Sequence, residues 1–518
     1  MKKILAFLTI ILMISLVSVV QSQGNITVTI ASQVDTTIDG LTHRKITGTI
    51  EKDGVTSNQV INVLSGNPFT DPTLQVIVGD DYPAYSYGMR QLHSMAVAVD
   101  NRYPHYKVLG GINGDFYNMT IGIPVEVYIR NGENVSPGLG YNRDVIGFKE
   151  DGTVVFGRPC IGGFEIRIYD SAGRERINLP VARINKLPFD DREVTVFFQD
   201  HTVAIPSGYT KTIINATEIK RDAYNTRYFG KGGVGNKTTA AYTVPTNKFI
   251  VVSDNPYVRD MMQTGDTVLV QQKIGCSFEG VRWAIGTWEK LVENSQALTN
   301  IPQGTAITTK NPRTAIGVRE DHTVFFVTVD GRLSSSGMDG VTLYELASLM
   351  EYFGAKTAYN LDGGGSTSMV VRNASNTFTY TNVVTNSTAR SLSNGIFFVR
   401  GTAPEVPPVL PIPDLSVPLE TPKNLHIDSG LMLRWDNVAS RIAFIVSVDG
   451  EEYPTASRAL PVGNFEPGIY TIKVKATGDG FYNRDSEYTE PLQYIVYPQE
   501  LAKFYALFKS HARNRIAG

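Results

Sequence analysis

Three short polar stretches in this 518-residue chain carry the side chains that do chemistry: Asn113-Gly114-Asp115-Phe116-Tyr117-Asn118, Asp330-Gly331-Arg332, and Asn360-Leu361-Asp362-Gly363-Gly364-Gly365-Ser366. A fourth, Arg313-Thr314, opens an apolar run. Arginine forks hold phosphate or carboxylate oxygens two at a time. Glycines let backbone N–H groups approach an oxyanion. Carboxylates serve as nucleophile, acid or base. Together these groups suit an anion attached to a polyol. Taken singly, each Gly-rich loop is equally a tight turn and each Asp a turn residue.

The elements between them must bring them together. Asn311–Val318 reads as a strand, Arg319–His322 as a polar turn, and Thr323–Val329 as a second strand. A hairpin of the two places Arg313 near Thr328, beside the Asp330 end. Thr342 and Glu345 form a capping box for a helix with an apolar stripe at Leu346, Leu349, Met350 and Phe353, stopped at Gly354. Thr357–Leu361 is the next strand. Strand, helix, strand predicts a right-handed parallel crossover, whose two strands end at one sheet edge. Asp330 through Arg332 and Asp362 through Ser366 then become neighbours where ligands of such sheets bind. Residues 24–107 upstream read as strand-rich, with a helical patch from Gly88 to Val99.

The segments GGINGDFYN, AIGTWEKLVEN, NPRTAIGV, VDGR, SSGMDGVTLYELA, NLDGGGSTSM and ARSLSNGIFFV occur in the order seen in phosphodiester glycosidases, which the chain resembles from about Val108 to Arg400. The resemblance implies an α+β catalytic domain that cleaves between a sugar's anomeric carbon and a phosphodiester oxygen. Asn113 and Gly114, Arg313 and Thr314, Asp330 through Arg332, Asn360 through Ser366, and Arg390 and Asn394 match family motifs. On this basis Arg313, Arg332 and Arg390 are expected at the phosphate, and Asp362 and Asp330 in acid/base or nucleophilic roles. Asn113 and Asn360 would orient the sugar, with Gly363, Gly364, Gly365 and Ser366 lining the site. The chain departs from the family at Gly286-Thr287-Trp288-Glu289, where Trp288 adds a stacking face, and at Asp115, where many members carry Gly.

The fold class expected is α+β: a mixed-sheet catalytic domain with helices, over 108–401, followed by a small all-β sandwich. A Pro-rich linker spans 402–422, and 423–497 resembles a fibronectin type III module, with strands at Leu431–Trp435, Ala443–Val448 and Tyr470–Ala476. A basic tail, 498–518, follows. Residues 1–22 have the positive start, apolar run and small residues of a secretory signal peptide, a retained anchor being the alternative. This pattern predicts a secreted or cell-envelope protein, the Met-Lys-Lys start and sparse cysteines suggest a bacterial one, and its last module is expected to serve as a spacer or, alternatively, to dock carbohydrate such as the cell wall. Cys160 and Cys276 are the only cysteines; they either pair, as an oxidising compartment permits, or stand as separate buried thiols.

Lys plus Arg number 48 against 50 Asp plus Glu, a net charge of -2 that gives no pull toward nucleic acid. GKGGVGNKTT at Gly230–Thr239 imitates a nucleotide loop, but Asn236 interrupts the Gly-Lys step. Scattered histidines lack metal spacing, and no G-x-S-x-G elbow occurs. No cofactor is called for; a structural divalent cation held by the clustered aspartates is the alternative. A non-catalytic glycan-binding or wall-binding protein on the same fold is the rival reading.

Overall fold

A computed structural model describes residues 19–23, 26–224, 226–302, 308–384, 388–402, 417–441, 443–478 and 483–498. Most of the expected signal peptide, linker and basic tail lies outside them. The chain forms two compact units, one holding most of residues 1–409 and one holding 410–518 with two short earlier pieces.

The larger unit opens with a meander: β1 (Val19–Gln23), β2 (Ile26–Ile38), β3 (Leu41–Lys52) and β4 (Val55–Gly66). Its turns are Asp39-Gly40 and Asp53-Gly54, each with both residues at positive φ, which is the twist a two-residue hairpin needs. β5 (Leu74–Gly79), α1 (Leu92–Arg102) and β6 (Tyr106–Asn113) follow. After a long insertion come β7 (Lys290–Glu293), β8 (Gln296–Ala297), β9 (Arg313–Val318), β10 (Val324–Val329), α2 (Leu343–Tyr352), β11 (Thr357–Asn360), β12 (Met369–Arg372), β13 (Phe378–Tyr380) and β14 (Gly395–Gly401).

A nine-stranded sheet runs β1-β2-β3-β4-β10-β9-β11-β7-β8, and a five-stranded sheet runs β13-β12-β6-β14-β5. Every residue of β9 and β10 is buried, because both faces are covered. Phe325 and Val327 pack on Leu346, Leu349 and Met350 of α2. Phe326 points the other way and meets Phe398 of β14, ring centroids 4.5 Å apart. Phe397, next in the chain, faces Val99 of α1 across Gly79. The layers are therefore α2, nine-stranded sheet, five-stranded sheet, α1.

Four expectations are corrected here. Strands far outweigh helices among the described residues, so the α+β label understates the β content. The helical patch is also displaced, to Leu92–Arg102. The crossover from β10 through α2 to β11 does keep both strands running the same way, but they are not adjacent. β9 lies between them, antiparallel to each. The consequence for the site survives: β10 and β11 end, and β9 begins, at one edge. The hairpin register is one residue from that expected, with Arg313 opposite Val329. The Thr342–Glu345 capping box is present, and Gly354 follows the helix at φ 81°.

The insertion holds a second five-stranded sheet and an eight-stranded one. GKGGVGNKTT lies mostly within a strand there, Tyr228–Thr238, not in a loop. Cys160 and Cys276 close the base of the eight-stranded sheet as a disulfide, Cα–Cα 5.2 Å, beside the Cys160–Gly275 strand pairing.

The smaller unit has a three-stranded and a four-stranded sheet, plus a short pair. Leu433 and Trp435 share its core with Phe444, Val446, Ile472 and Val474. Asp449-Gly450 makes its tight hairpin turn, with both φ angles positive.

Candidate functional site

The edge where β10 and β11 end carries the triple-glycine turn, and each glycine has its own arginine. A Cβ on Gly363 would stand 3.7 Å from Arg313 Cδ, one on Gly364 2.9 Å from an Arg332 Nη, and one on Gly365 2.5 Å from an Arg390 Nη. Gly364 is also at φ 61°. The glycines thus serve both conformation and close approach of cations to backbone.

The three arginines differ in freedom. Arg313 is buried and donates to Val341 O at 3.1 Å and Thr309 O at 2.8 Å. Burial lowers its pKa to about 10, so it keeps its charge at neutral pH. Arg332 is exposed, holds φ 58°, and is steadied by two N–H donations to Asn311 Oδ1. Arg390 is half-buried and donates to Ser366 Oγ at 3.3 Å. The three arginines expected at the phosphate are thus held differently: Arg313 is engaged by main-chain carbonyls, while Arg332 and Arg390 each keep donors without a partner among the described residues.

Asp362 begins the turn. Its backbone is fixed from both sides, by Asn113 Nδ2 donating to its carbonyl at 2.6 Å and by its own N–H donating to Gly114 O at 3.2 Å. Burial pushes its carboxyl up to about 6, against the Ser366 hydroxyl and the Arg390 charge, which lower it. It ionises below neutrality and so carries its charge at neutral pH. Asp330 is likewise pushed up to about 6 by burial, but its oxygens accept the Val383 N–H at 3.2 Å, and its named cationic neighbour is Lys45.

The carboxyl that answers Asp362 is Asp115. Burial, then repulsion from Glu126 and Asp362, raises Asp115 well above the usual range. Its Oδ2 accepts the Glu126 N–H at 2.9 Å, and its Oδ1 has no partner among the described residues. Gly286 makes room: a Cβ there would meet Asp115 Oδ2 at 2.5 Å. Asn394 Oδ1 fixes the loop by accepting the Asp115 N–H at 2.9 Å.

Asn113 is a brace. Its Oδ1 accepts from Thr314 Oγ1 at 2.8 Å and Ser368 N at 3.0 Å, tying β6, β9 and the segment before β12 together. Asn360 donates to Glu289 at 3.2 Å, and its buried Oδ1 has no partner among the described residues. Trp288 meets Phe116 with centroids 4.3 Å apart, and Arg143 lies over its ring. Glu126, Arg143 and Glu289 are site residues that sequence reasoning gave no role. Glu126 sits in an ordinary apolar run, IPVEVY, and has no local motif. Among the described residues no group of three or more His, Cys, Asp or Glu is placed to hold a metal ion.

Residues 219–399 match the phosphodiester glycosidase family. This segment is a phosphodiester glycosidase domain. It contains Arg313, Asp330, Asp362 and Arg390, whereas Asn113 and Asp115 precede it. The SPbeta prophage-derived uncharacterized protein YomE of Bacillus subtilis (strain 168) is 28% identical over 36% of this chain and 36% of its own length, so the chain spans about a third of that relative. Among solved structures, a hypothetical protein from Synechocystis matches with TM-score 0.39 and 16% identity, over 76% of this chain and 80% of that one. The catalytic domain of zebrafish N-acetylglucosamine-1-phosphodiester alpha-N-acetylglucosaminidase matches with TM-score 0.38 and 14% identity, over 70% of this chain and 84% of that one.

Proposed function

We propose that the protein hydrolyses the bond between a sugar's anomeric carbon and a phosphodiester oxygen, on glycans outside the cell. The observation that carries this is the close approach of the Arg332 and Arg390 guanidiniums to Gly364 and Gly365, in the turn that a buried carboxyl opens. Arg332 and Arg390 hold the phosphate; Arg313 fixes the turn through Thr309 and Val341, and the Gly364 N–H fixes it by donating to Pro312 O. Asp362 stabilises positive charge at the anomeric carbon, as nucleophile or as base to a water. The phosphate needs little protonation to leave. Water supplies a hydroxyl to the sugar and a proton to the departing phosphomonoester. Burial shifts Asp115 toward its protonated form, which lessens the negative charge beside Asp362 and favours a hydrogen bond donated by its carboxyl. Trp288 and Phe116 offer the sugar an apolar face.

Incubation with UDP-N-acetylglucosamine and a panel of wall glycophosphates should release free sugar, and Asp362→Asn should abolish most of it. Binding of the panel with no sugar released by the unaltered protein would instead identify a glycan-binding protein on this fold.

A further inference from the structure

The 286–289 segment, where the chain departs from the phosphodiester glycosidase pattern, is bound main chain to main chain beside the end of β11. The Trp288 N–H donates to Asn360 O at 2.9 Å, and the Asn360 N–H donates to Glu289 O at 2.8 Å. On its other side the Thr287 N–H and hydroxyl both donate to Asp144 O, at 3.0 and 2.7 Å. Glu289 is thus fixed alongside a residue two places before Asp362. The ladder runs on past Asn360, since the Leu361 N–H donates to Thr314 O at 2.9 Å. Side chains two apart on an extended chain point the same way, so Asn360 and Asp362 share a face, separated by about 7 Å of chain.

Asn360 is the residue expected to orient the sugar, but its amide is already engaged. It is buried, its Nδ2 donates to Glu289 Oε2 at 3.2 Å, and its Oδ1 is sealed from solvent. Glu289 is the half-buried member of the pair. A carboxylate accepts about four hydrogen bonds. Among the described residues Glu289 receives only the Asn360 amide and its own N–H, and its Oε1, unlike Asn360 Oδ1, is not sealed. A neutral side chain would hold the Asn360 amide as well, so the fold makes no use of the second oxygen.

The surrounding charges place Glu289 at the site. Burial raises its pKa, against its own N–H, the Arg143 charge, the Asn360 bond and the Arg313 charge, which lower it. Arg313 packs under the glycine turn at Gly363, while Arg143 also feels Glu126 and Asp115. Glu289 therefore stands between the Asp115 wall and the glycine turn, the two sides that enclose Asp362. An anionic acceptor there binds a hydroxyl more strongly than a neutral amide does.

We propose that Glu289 determines sugar specificity, with its Oε1 accepting a hydroxyl of the glycosyl unit whose anomeric carbon lies at Asp362. The site selects sugars that keep this hydroxyl free over deoxy or O-acylated ones, because the missing hydroxyl leaves the carboxylate unpaired against the bound ring. This assignment rests on the reading of the Asp362 edge as the point of cleavage.

The test is calorimetric titration of the full chain with UDP-N-acetylglucosamine and with its analogues lacking the 3-, 4- or 6-hydroxyl. One analogue should bind on the order of tenfold or more weakly than the parent. Glu289→Gln keeps an oxygen for the Asn360 amide. It should weaken the parent by a similar factor, with an unchanged melting temperature, and abolish the penalty for that one analogue while the others keep theirs. Glu289→Ala should abolish the same penalty, so that two variants with different packing report one loss. In turnover, Glu289→Gln should raise KM far more than it lowers kcat. Penalties that persist in both variants would make Glu289 a support for Asn360 and overturn the assignment. Equal binding of all four compounds by the unaltered protein, or of none, overturns it too. The expected binding pattern without release of free sugar from any compound would sink the cleavage reading and leave Glu289 a recognition residue.

Discussion

Asp330 and Asp362 end two strands that run the same way to the same sheet edge, and burial pushes both carboxyls up to about 6. They differ in what faces them. Asp362 meets Ser366, Arg390 and the glycine turn, while Asp330 meets the backbone N–H of Val383. A perturbed carboxyl at a strand end is therefore not in itself a catalytic signal. The neighbours that arrive from other strands and loops decide between chemistry and architecture.

The largest test of that contrast is Asp362→Asn, which keeps shape and removes charge. Turnover should fall on the order of a hundredfold or more, as for loss of a general base. In the unaltered enzyme kcat/KM should drop as pH falls through about 6, the value at which Asp362 gains its proton. A variant that retains near-normal turnover but melts earlier would make Asp362 a turn residue and move attention to Asp330.

Gly365→Ala should come next. The added methyl displaces the Arg390 guanidinium, a flexible side chain, so activity should drop roughly tenfold, like loss of one charge-assisted contact, while the melting temperature changes little. Equal activity of Gly365→Ala and wild type would show that Arg390 does not need its place above the turn.

The Asp330 side of the comparison is read by stability. A carboxyl raised in the folded state favours its protonated form there, so its contribution is full below the unfolded value near 3.8 and is lost as pH rises through about 6. Asp330→Asn can still accept the Val383 N–H and no longer ionises. It should match wild type near pH 4 and exceed it near pH 7 by at most about 3 kcal/mol, measured by urea unfolding. Turnover should change by less than a few-fold. The smallest effect expected is a division between arginines. Arg332→Lys should raise KM several-fold with an unchanged melting temperature, while Arg313→Lys, which loses carbonyl contacts, should lower the melting temperature first. The reverse pattern would restore Arg313 to the phosphate.

Much of this edge was legible in the chain. The Thr342–Glu345 box, the apolar stripe of α2 and the glycine turn after β11 are local signals, and they sufficed to bring Asp330, Asp362 and Arg313 to one edge. Whether β9 lies between β10 and β11 depends on long-range pairing that no local pattern encodes. The β content was underestimated for a related reason: the insertion's strands carry glycine runs, such as Gly230–Gly235, that read as loops. Asp115 was visible as a loop carboxylate, but Glu126 was opaque because its importance comes from burial against Asp115. Two carboxyls eleven positions apart become neighbours only when the 117–124 loop folds back.

The Cys160–Cys276 bond has a consequence for a cut chain. It ties the insertion into a covalent ring whose two ends leave at the same point. The turn Ser171–Arg174 lies within that ring and is exposed. Trypsin cleaving after Arg174 would produce two polypeptides, 1–174 and 175–518, that cannot drift apart. Such nicked protein would run as one band on a denaturing gel without reductant and as two bands with it, with the glycine turn and all three of its arginines on the longer piece.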